Sequence, residues 1–197
     1  MIRSKKTLGI INIAGGNIKS LFNSINRKYV SIYEVDDISK NINLDIIIFP
    51  GVGNILRLSS EILSKKNSFI LDHINNEKKI IGICMGLQIL AGYSTETEPN
   101  AMGLSLIDGY TSELKSASSH IGWNTLNFNP NSIFSNFDKM DVYFNHKYRL
   151  FSSNPSFISG TTHINEHETI PSVIEKNNLI GFQFHPEKSQ EQGKKLL

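Results

Sequence analysis

Residues 80–90 read IIGICMGLQIL, an apolar run that holds the only cysteine of the chain, Cys84, between Gly82 and Gly86. Isoleucines leading up to the cysteine predict a buried strand over Lys79–Cys84, and the residues from Met85 to about Tyr93 predict a helix. A strand that becomes a helix within one residue needs a tight turn, and the two glycines leave room for it.

The same texture recurs upstream. TLGIINI (7–13) and LDIIIFPG (44–51) are continuous apolar runs stopped by Gly or Pro, as expected of parallel strands buried on both faces. Between them NIKSLFNSINRK (17–28) sets Ile18, Leu21, Phe22 and Ile25 at helical spacing, and YVSIYEV (29–35) reads as another strand. FILDHINN (69–76) predicts a helix with Phe69, Ile70 and Ile74 on one face. The pattern predicts an α/β fold, a mainly parallel central sheet flanked by helices. After residue 100 the segments shorten: GLSLIDGY, NTLNF, MDVYFNHKY, FISGTTH, PSVIEKNN and LIGFQFH are separated by Asn, Gly, Pro and Ser, which predicts additional antiparallel strands in the second half. With 197 residues and no long linker, a single domain over 1–197 is expected.

A net charge of +2 argues for neither a nucleic-acid nor a membrane surface. One cysteine forms no internal disulfide, MIRSKKTLGIINIAGG (1–16) has too short an apolar run for a secretory signal, and no stretch approaches the roughly 20 apolar residues of a membrane span. A cytoplasmic location is expected, and nothing in the sequence calls for a metal or other cofactor.

Cys84 at a helix start would feel the positive end of the helix dipole, beside free N–H groups able to hold an oxyanion. A strand-to-helix elbow of this kind presents a nucleophile at the carboxyl edge of an α/β sheet. A small buried core cysteine fits the same residues, and free Cys is commonly buried. FQFHPEKS (182–189) adds His185 and Glu187, which point the same way if the extended chain continues through Pro186, giving a base with a carboxylate to orient it. FPGVGN (49–54) adds a Pro-Gly-x-Gly turn whose backbone could approach a ligand. Taken singly, the last two are also a solvated loop and an ordinary turn.

Together and in this order, GICMGLQ, PGVG and HPEKS resemble the class I, triad-type glutamine amidotransferases, and the likeness covers the whole chain. GGNIKSL (15–21), SHIGWN (119–124), VYFNHKY (142–148) and FQFHPEKSQEQGKKLL (182–197) are most similar to the glutaminase subunit type of imidazole glycerol phosphate synthase. The resemblance implies a flavodoxin-like amidotransferase fold and glutamine hydrolysis by Cys84, His185 and Glu187 through a γ-glutamyl thioester. It implies oxyanion donors at Met85 and in Val52 and Gly53, and substrate contacts from Gly51, Gln88, His146 and Lys147. It implies a heterodimer in which Asn17, Asn54 and Trp123 face a (β/α)8-barrel cyclase that receives the ammonia. For Gln88 a solvated helix position, and for Trp123 a core position, are the competing readings.

Several residues depart from that pattern. Phe144-Asn145-His146-Lys147-Tyr148 stands where Phe-Val-His-Ser-Tyr is usual, Asn12-Ile13-Ala14-Gly15-Gly16 where Asp-Tyr-Gly-x-Gly is usual, and Ser119 where proline commonly precedes His120. Lys147 is expected either to pair with the substrate carboxylate or to point to solvent. The departures leave open a paralogous subunit that supplies ammonia for amidating sugars in surface polysaccharide biosynthesis. Two other classes are a non-catalytic regulatory subunit and a cysteine hydrolase of peptides or small amides. GKKLL (193–197) stops a few residues short of the usual family end, so a curtailed last helix is expected.

Overall fold

Apolar runs without polar alternation need cover on both faces, and here they pair with one another. In the computed structural model, which describes residues 5–37, 43–64 and 68–197, the basic start at residues 1–4 lies outside the described residues. Strand β1 (Lys6–Ile11) leads through helix α1 (Lys19–Ser24) to β2 (Val30–Val35), and β3 (Ile46–Phe49) through α2 (Ile55–Leu63) and α3 (Ser68–Asn75) to β4 (Lys79–Ile83). Helix α4 (Met85–Leu90) follows Cys84. Downstream lie β5 (Tyr93–Ser94), β6 (Ala101–Met102), β7 (Tyr110–Glu113), β8 (His120–Thr125), β9 (Asn127–Phe128), β10 (Asp141–His146) and β11 (Tyr148–Phe151). The chain continues through β12 (Ile158–Asn165), β13 (Glu168–Lys176), β14 (Leu179–Phe182) and the short α5 (Gln190–Lys194).

Among the described residues the main sheet runs β2-β1-β3-β4-β14-β13-β12-β9. The pairs from β2 to β14 are parallel, and those from β14 to β9 are antiparallel. The parallel part has the strand order of flavodoxin-like sheets. Strands β8 and β10 form a ribbon, and β11, β7, β5 and β6 a small separate sheet. The expected mixture of a parallel centre with later antiparallel strands is what the structure contains.

The sheet has a core on each face. Ile47, Ile80, Leu58, Ile62, Ile70 and Leu87 pack on one side. Ile10, Ile48, Leu21, Phe144, Phe182 and Phe184 pack on the other. Full burial of each such side chain contributes about 1.5–3 kcal/mol.

Several boundaries differ from the sequence reading. The helix after Cys84 stops at Leu90, because Tyr93 and Ser94 leave to pair as β5. Helix α1 covers six of the twelve residues expected, and residues 103–109 of GLSLIDGY form no strand, the N–H groups of Leu104 to Ile107 being taken by the carbonyls of Ile89, Leu90 and Ala91. Helix α2 was not anticipated, although Ile55, Leu58 and Ile62 lie at helical spacing behind an Asn54 cap.

What places α4 is a strip of glycines. Gly82 is paired with Phe49 of β3 and Gly181 of β14. A methyl group on Gly82 would lie 2.5 Å from the Gly86 carbonyl oxygen, and one on Gly86 would lie 2.0 Å from that of Phe49. The nearest atoms in both gaps are backbone, so moving a side chain would not make room and backbone would have to shift. Gly86→Ala is expected to lower the urea midpoint with an unchanged m-value, corresponding to a loss of about 1–3 kcal/mol. A midpoint equal to that of the unaltered protein would contradict this packing.

Candidate active site

Cys84 sits between β4 and α4 with φ 45° and ψ −101°. A non-glycine residue at positive φ costs on the order of 1–3 kcal/mol and is kept only where its surroundings demand it. Here the Cys84 N–H donates to the Phe182 carbonyl at 2.7 Å, and its own carbonyl accepts from Leu87 and Gln88 at 3.0 and 3.2 Å. The elbow is thus tied to β14 on one side and opens α4 on the other. The thiol is buried, 3.8 Å from the Asn145 carbonyl oxygen, toward which it can donate.

His185 arrives from the residues that follow β14. The chain does not stay extended through Pro186, as the sequence reading supposed: Pro186–Lys188 close into a single 3-10 turn. The turn brings the Glu187 carboxylate back to the imidazole, with Oε1 2.7 Å from His185 Nδ1. Ser189 holds the turn from outside, its hydroxyl donating to the His185 carbonyl at 2.7 Å and accepting from the Tyr143 N–H at 2.9 Å. The His185 N–H in turn donates to the Tyr143 carbonyl at 2.9 Å.

The resulting electrostatics are asymmetric. Burial disfavours a charged His185, but its hydrogen bonds to Cys84 and Glu187, and the charges of both, outweigh that and raise its pKa to about 9. Nearby His146 and His120 go the other way. Burial pushes His146 down to about 3, with His120 adding to the effect, and burial pushes His120 down to about 4. Their nitrogens form one chain: Asn124 Nδ2 donates to His120 Nε2 at 3.1 Å, His120 Nδ1 to His146 Nε2 at 3.0 Å, and His146 Nδ1 to the Tyr148 carbonyl at 2.9 Å. That pattern suits two neutral rings, and the site then carries one imidazolium.

A cleft of about 420 Å³ opens over the sulfur, between the Gly51–Gly53 turn, the start of α4 and the stretch from Asn145 to Tyr148. Gly51 lies against both reactive groups, since a methyl group there would be 2.7 Å from His185 Cε1 and 3.1 Å from Cys84 Cβ. Gln88 lines the cleft, and its carboxamide oxygen accepts from the Ser94 hydroxyl at 3.0 Å. Glu96 and Lys147 bring one charge of each sign to its wall.

A sequence profile described as "Glutamine amidotransferase class-I" matches residues 10–197. The chain belongs to this family. Among curated relatives it is 34% identical to "Imidazole glycerol phosphate synthase subunit HisH" of Thermotoga maritima, over 96% of this chain and 94% of that protein. It is 36% identical to the protein of that name from Picrophilus torridus, over 96% of each. To "Imidazole glycerol phosphate synthase hisHF, chloroplastic" of Arabidopsis thaliana it is 33% identical over 98% of this chain and 34% of that protein. A chain of PurLQS from Thermotoga maritima has the same fold, with a TM-score of 0.73 at 21% identity, covering 98% of this chain and 95% of the other.

The structure therefore brings Cys84, His185, Glu187, Met85, Gly51, Val52, Gly53, Gln88, His146 and Lys147 around one cleft or directly behind it. His146 meets the cleft with both ring nitrogens already engaged. The Lys147 ammonium is 2.7 Å from Glu113, at half-exposed positions. Asn17, Asn54 and Trp123 lie outside the cleft and are exposed. Asn54 caps α2, its side-chain oxygen accepting from the Arg57 N–H at 2.9 Å. Trp123, 49% exposed and packed edge-on against Tyr143, is not a core residue. Glu96 lines the cleft without having been singled out, and Ser119, Ile121 and Asn145, noted above only as parts of the SHIGWN and VYFNHKY stretches, line it too. Glu96 lies in no motif, and the role of Asn145 rests on its backbone carbonyl, which no side-chain pattern reveals. Among the described residues no group of three or more His, Cys, Asp and Glu is arranged to hold a metal ion.

Because the His185 pKa is raised on folding, its contribution to stability is complete below about pH 6.5 and is lost as pH rises through about 9. An NMR titration of the imidazole is expected to show a midpoint near 9, falling in Cys84→Ala because one of its two supports is removed. An ordinary midpoint in the unaltered protein would contradict the arrangement.

Proposed function

We propose that this chain is the glutaminase subunit of an imidazole glycerol phosphate synthase, hydrolysing glutamine and passing the ammonia to a (β/α)8-barrel cyclase subunit. The observation that carries the reading is Cys84 held on a strained elbow beside an imidazole that Glu187 orients. Family membership and the synthase relatives support it. The main sheet draws strands from both halves of the chain, which supports one domain over 1–197. Among the described residues no helix is long and apolar enough to cross a membrane, and the reading places the protein in the cytoplasm.

In this reading the Cys84 thiolate attacks the side-chain amide carbon of glutamine, and the carbonyl π electrons move to oxygen. Met85 N–H, in the first turn of α4, and the backbone of Val52 and Gly53 hold the oxyanion. As the carbonyl re-forms, the C–N bond breaks and the His185 imidazolium gives its proton to the leaving nitrogen, releasing ammonia. Water deprotonated by His185 then attacks the thioester, and glutamate leaves with the sulfur restored. Glu187 holds the imidazole orientation throughout. Gly51, Gln88 and His146 shape the substrate cleft, while Lys147 and Glu96 offer charges that suit the carboxylate and ammonium of an amino acid.

Exposed Asn17, Asn54 and Trp123 are the surface assigned to the cyclase. The Arabidopsis relative supports a paired architecture, since the part matching this chain is 34% of its length.

Cys84→Ser is expected to reduce glutamine hydrolysis by roughly 10³-fold or more, His185→Ala comparably, and Glu187→Ala by less. Glutamate release measured by coupled assay decides this, and near-normal turnover by the serine variant would remove Cys84 as nucleophile. Adding the histidine-pathway cyclase with its ligand is expected to raise turnover roughly 10² to 10³-fold if it completes the oxyanion site. Stimulation by a polysaccharide-pathway cyclase alone would assign the chain to that paralogous group instead.

A further inference from the structure

Gln183 lies between the last residue of β14 and the stretch that carries His185, and it is 1% exposed. Its backbone N–H donates to the Ser172 carbonyl at 3.0 Å. Ser172 is the extra residue where the β12–β13 register slips, between the pairs Gly160–Val173 and Thr161–Pro171. Bulges re-aim the chain beside them, and this one adjoins the residue whose carboxamide faces the cysteine. Gln183 Nε2 is 4.0 Å from Cys84 Sγ, and its buried Oε1 has no hydrogen-bond partner.

An amide left half-satisfied in an apolar interior destabilises the fold, and an unbranched apolar side chain of similar length would suit the position better on stability grounds. Two groups beside the sulfur also favour opposite protonation states. The Asn145 carbonyl can only accept from a thiol, whereas the Gln183 amide can only donate toward the sulfur, which favours a thiolate.

We propose that Gln183 is a positioning residue for the nucleophile, its carboxamide N–H holding the Cys84 sulfur as a thiolate directed at His185. This rests on Cys84 being the nucleophile. The other titratable groups facing the cysteine are His185 with Glu187 behind it, His146 from β10, and Glu96, Lys147 and Tyr148 on the cleft wall. Gln183→Met removes the amide without altering any of these, and keeps length and volume.

The chain has one cysteine, so alkylation by iodoacetamide reports on Cys84 alone. The rate is measured against pH for the unaltered protein, Gln183→Met and Gln183→Glu, each with a urea unfolding curve. Gln183→Met is expected to move the acidic limb up by about one pH unit, a tenfold slower reaction on that limb, while the unfolding midpoint stays equal or rises. Gln183→Glu, which sets a carboxylate against the sulfur, is expected to move it further. An unmoved limb in Gln183→Met overturns the proposal, as does failure of that variant to fold, because either result makes the carboxamide a structural group. Glutamine turnover by the unaltered protein is measured separately. Its absence both alone and with a cyclase partner and its ligand would sink the glutaminase reading, while the alkylation limb still decides the role of Gln183.

Discussion

Gly86 has its Cα against the carbonyl of Phe49, with no space for one methyl group, and the position of the cysteine follows from that contact. It seats the first turn of α4 on β3 and β4. The chain then has a single residue in which to turn from strand to helix, and Cys84 takes the strained backbone conformation that results. Strain of this kind holds a side chain more firmly than side-chain packing does, because relieving it would mean lifting the helix off the sheet. The cysteine is placed by its glycine neighbours and by its bond to the Phe182 carbonyl.

Charge in the site is confined in a similar way. Three histidines lie in the site or directly behind it, yet one is held protonated and two are held neutral. The difference lies in their partners. His185 has a carboxylate on one nitrogen, whereas His146 gives its proton to a backbone carbonyl and His120 gives its own to His146. A second imidazolium beside the first would compete for the same sulfur and weaken the coupling that makes His185 an acid. The neutral pair also fixes the stretch from Asn145 to Tyr148, which forms one wall of the cleft.

Much of this was legible in the sequence because it is written locally. Apolar runs without alternation announced buried parallel strands, and a cysteine between two glycines announced the elbow, since only glycine permits that approach. His185 and Glu187 were readable as a pair for their closeness in the chain, although the condition set for it, an extended chain through Pro186, is not met and a 3-10 turn joins them instead. Other features depend on distant segments. Gln183 looked like an alternating strand residue, and nothing nearby shows that its amide meets a sulfur 99 positions away. Residues 103–109 have strand-like composition, but the carbonyls at the end of α4 and of Ala91 just beyond it capture the N–H groups of Leu104 to Ile107 first. Helix α2 is a different kind of miss, because its spacing and its cap were both present and unread.

The order of strands also sets the order in which this protein can be built. β14 lies between β4 and β13, parallel to one and antiparallel to the other, at the middle of the main sheet. A ribosome releases β4 and the cysteine elbow long before it releases β14, so a growing chain carries β4 with an open edge, and Cys84 without the Phe182 carbonyl that anchors it. His185 follows β14 within a few residues. The same insertion that closes the sheet therefore delivers the base to the thiol, and the nascent polypeptide carries an unarmed cysteine until its central gap is filled.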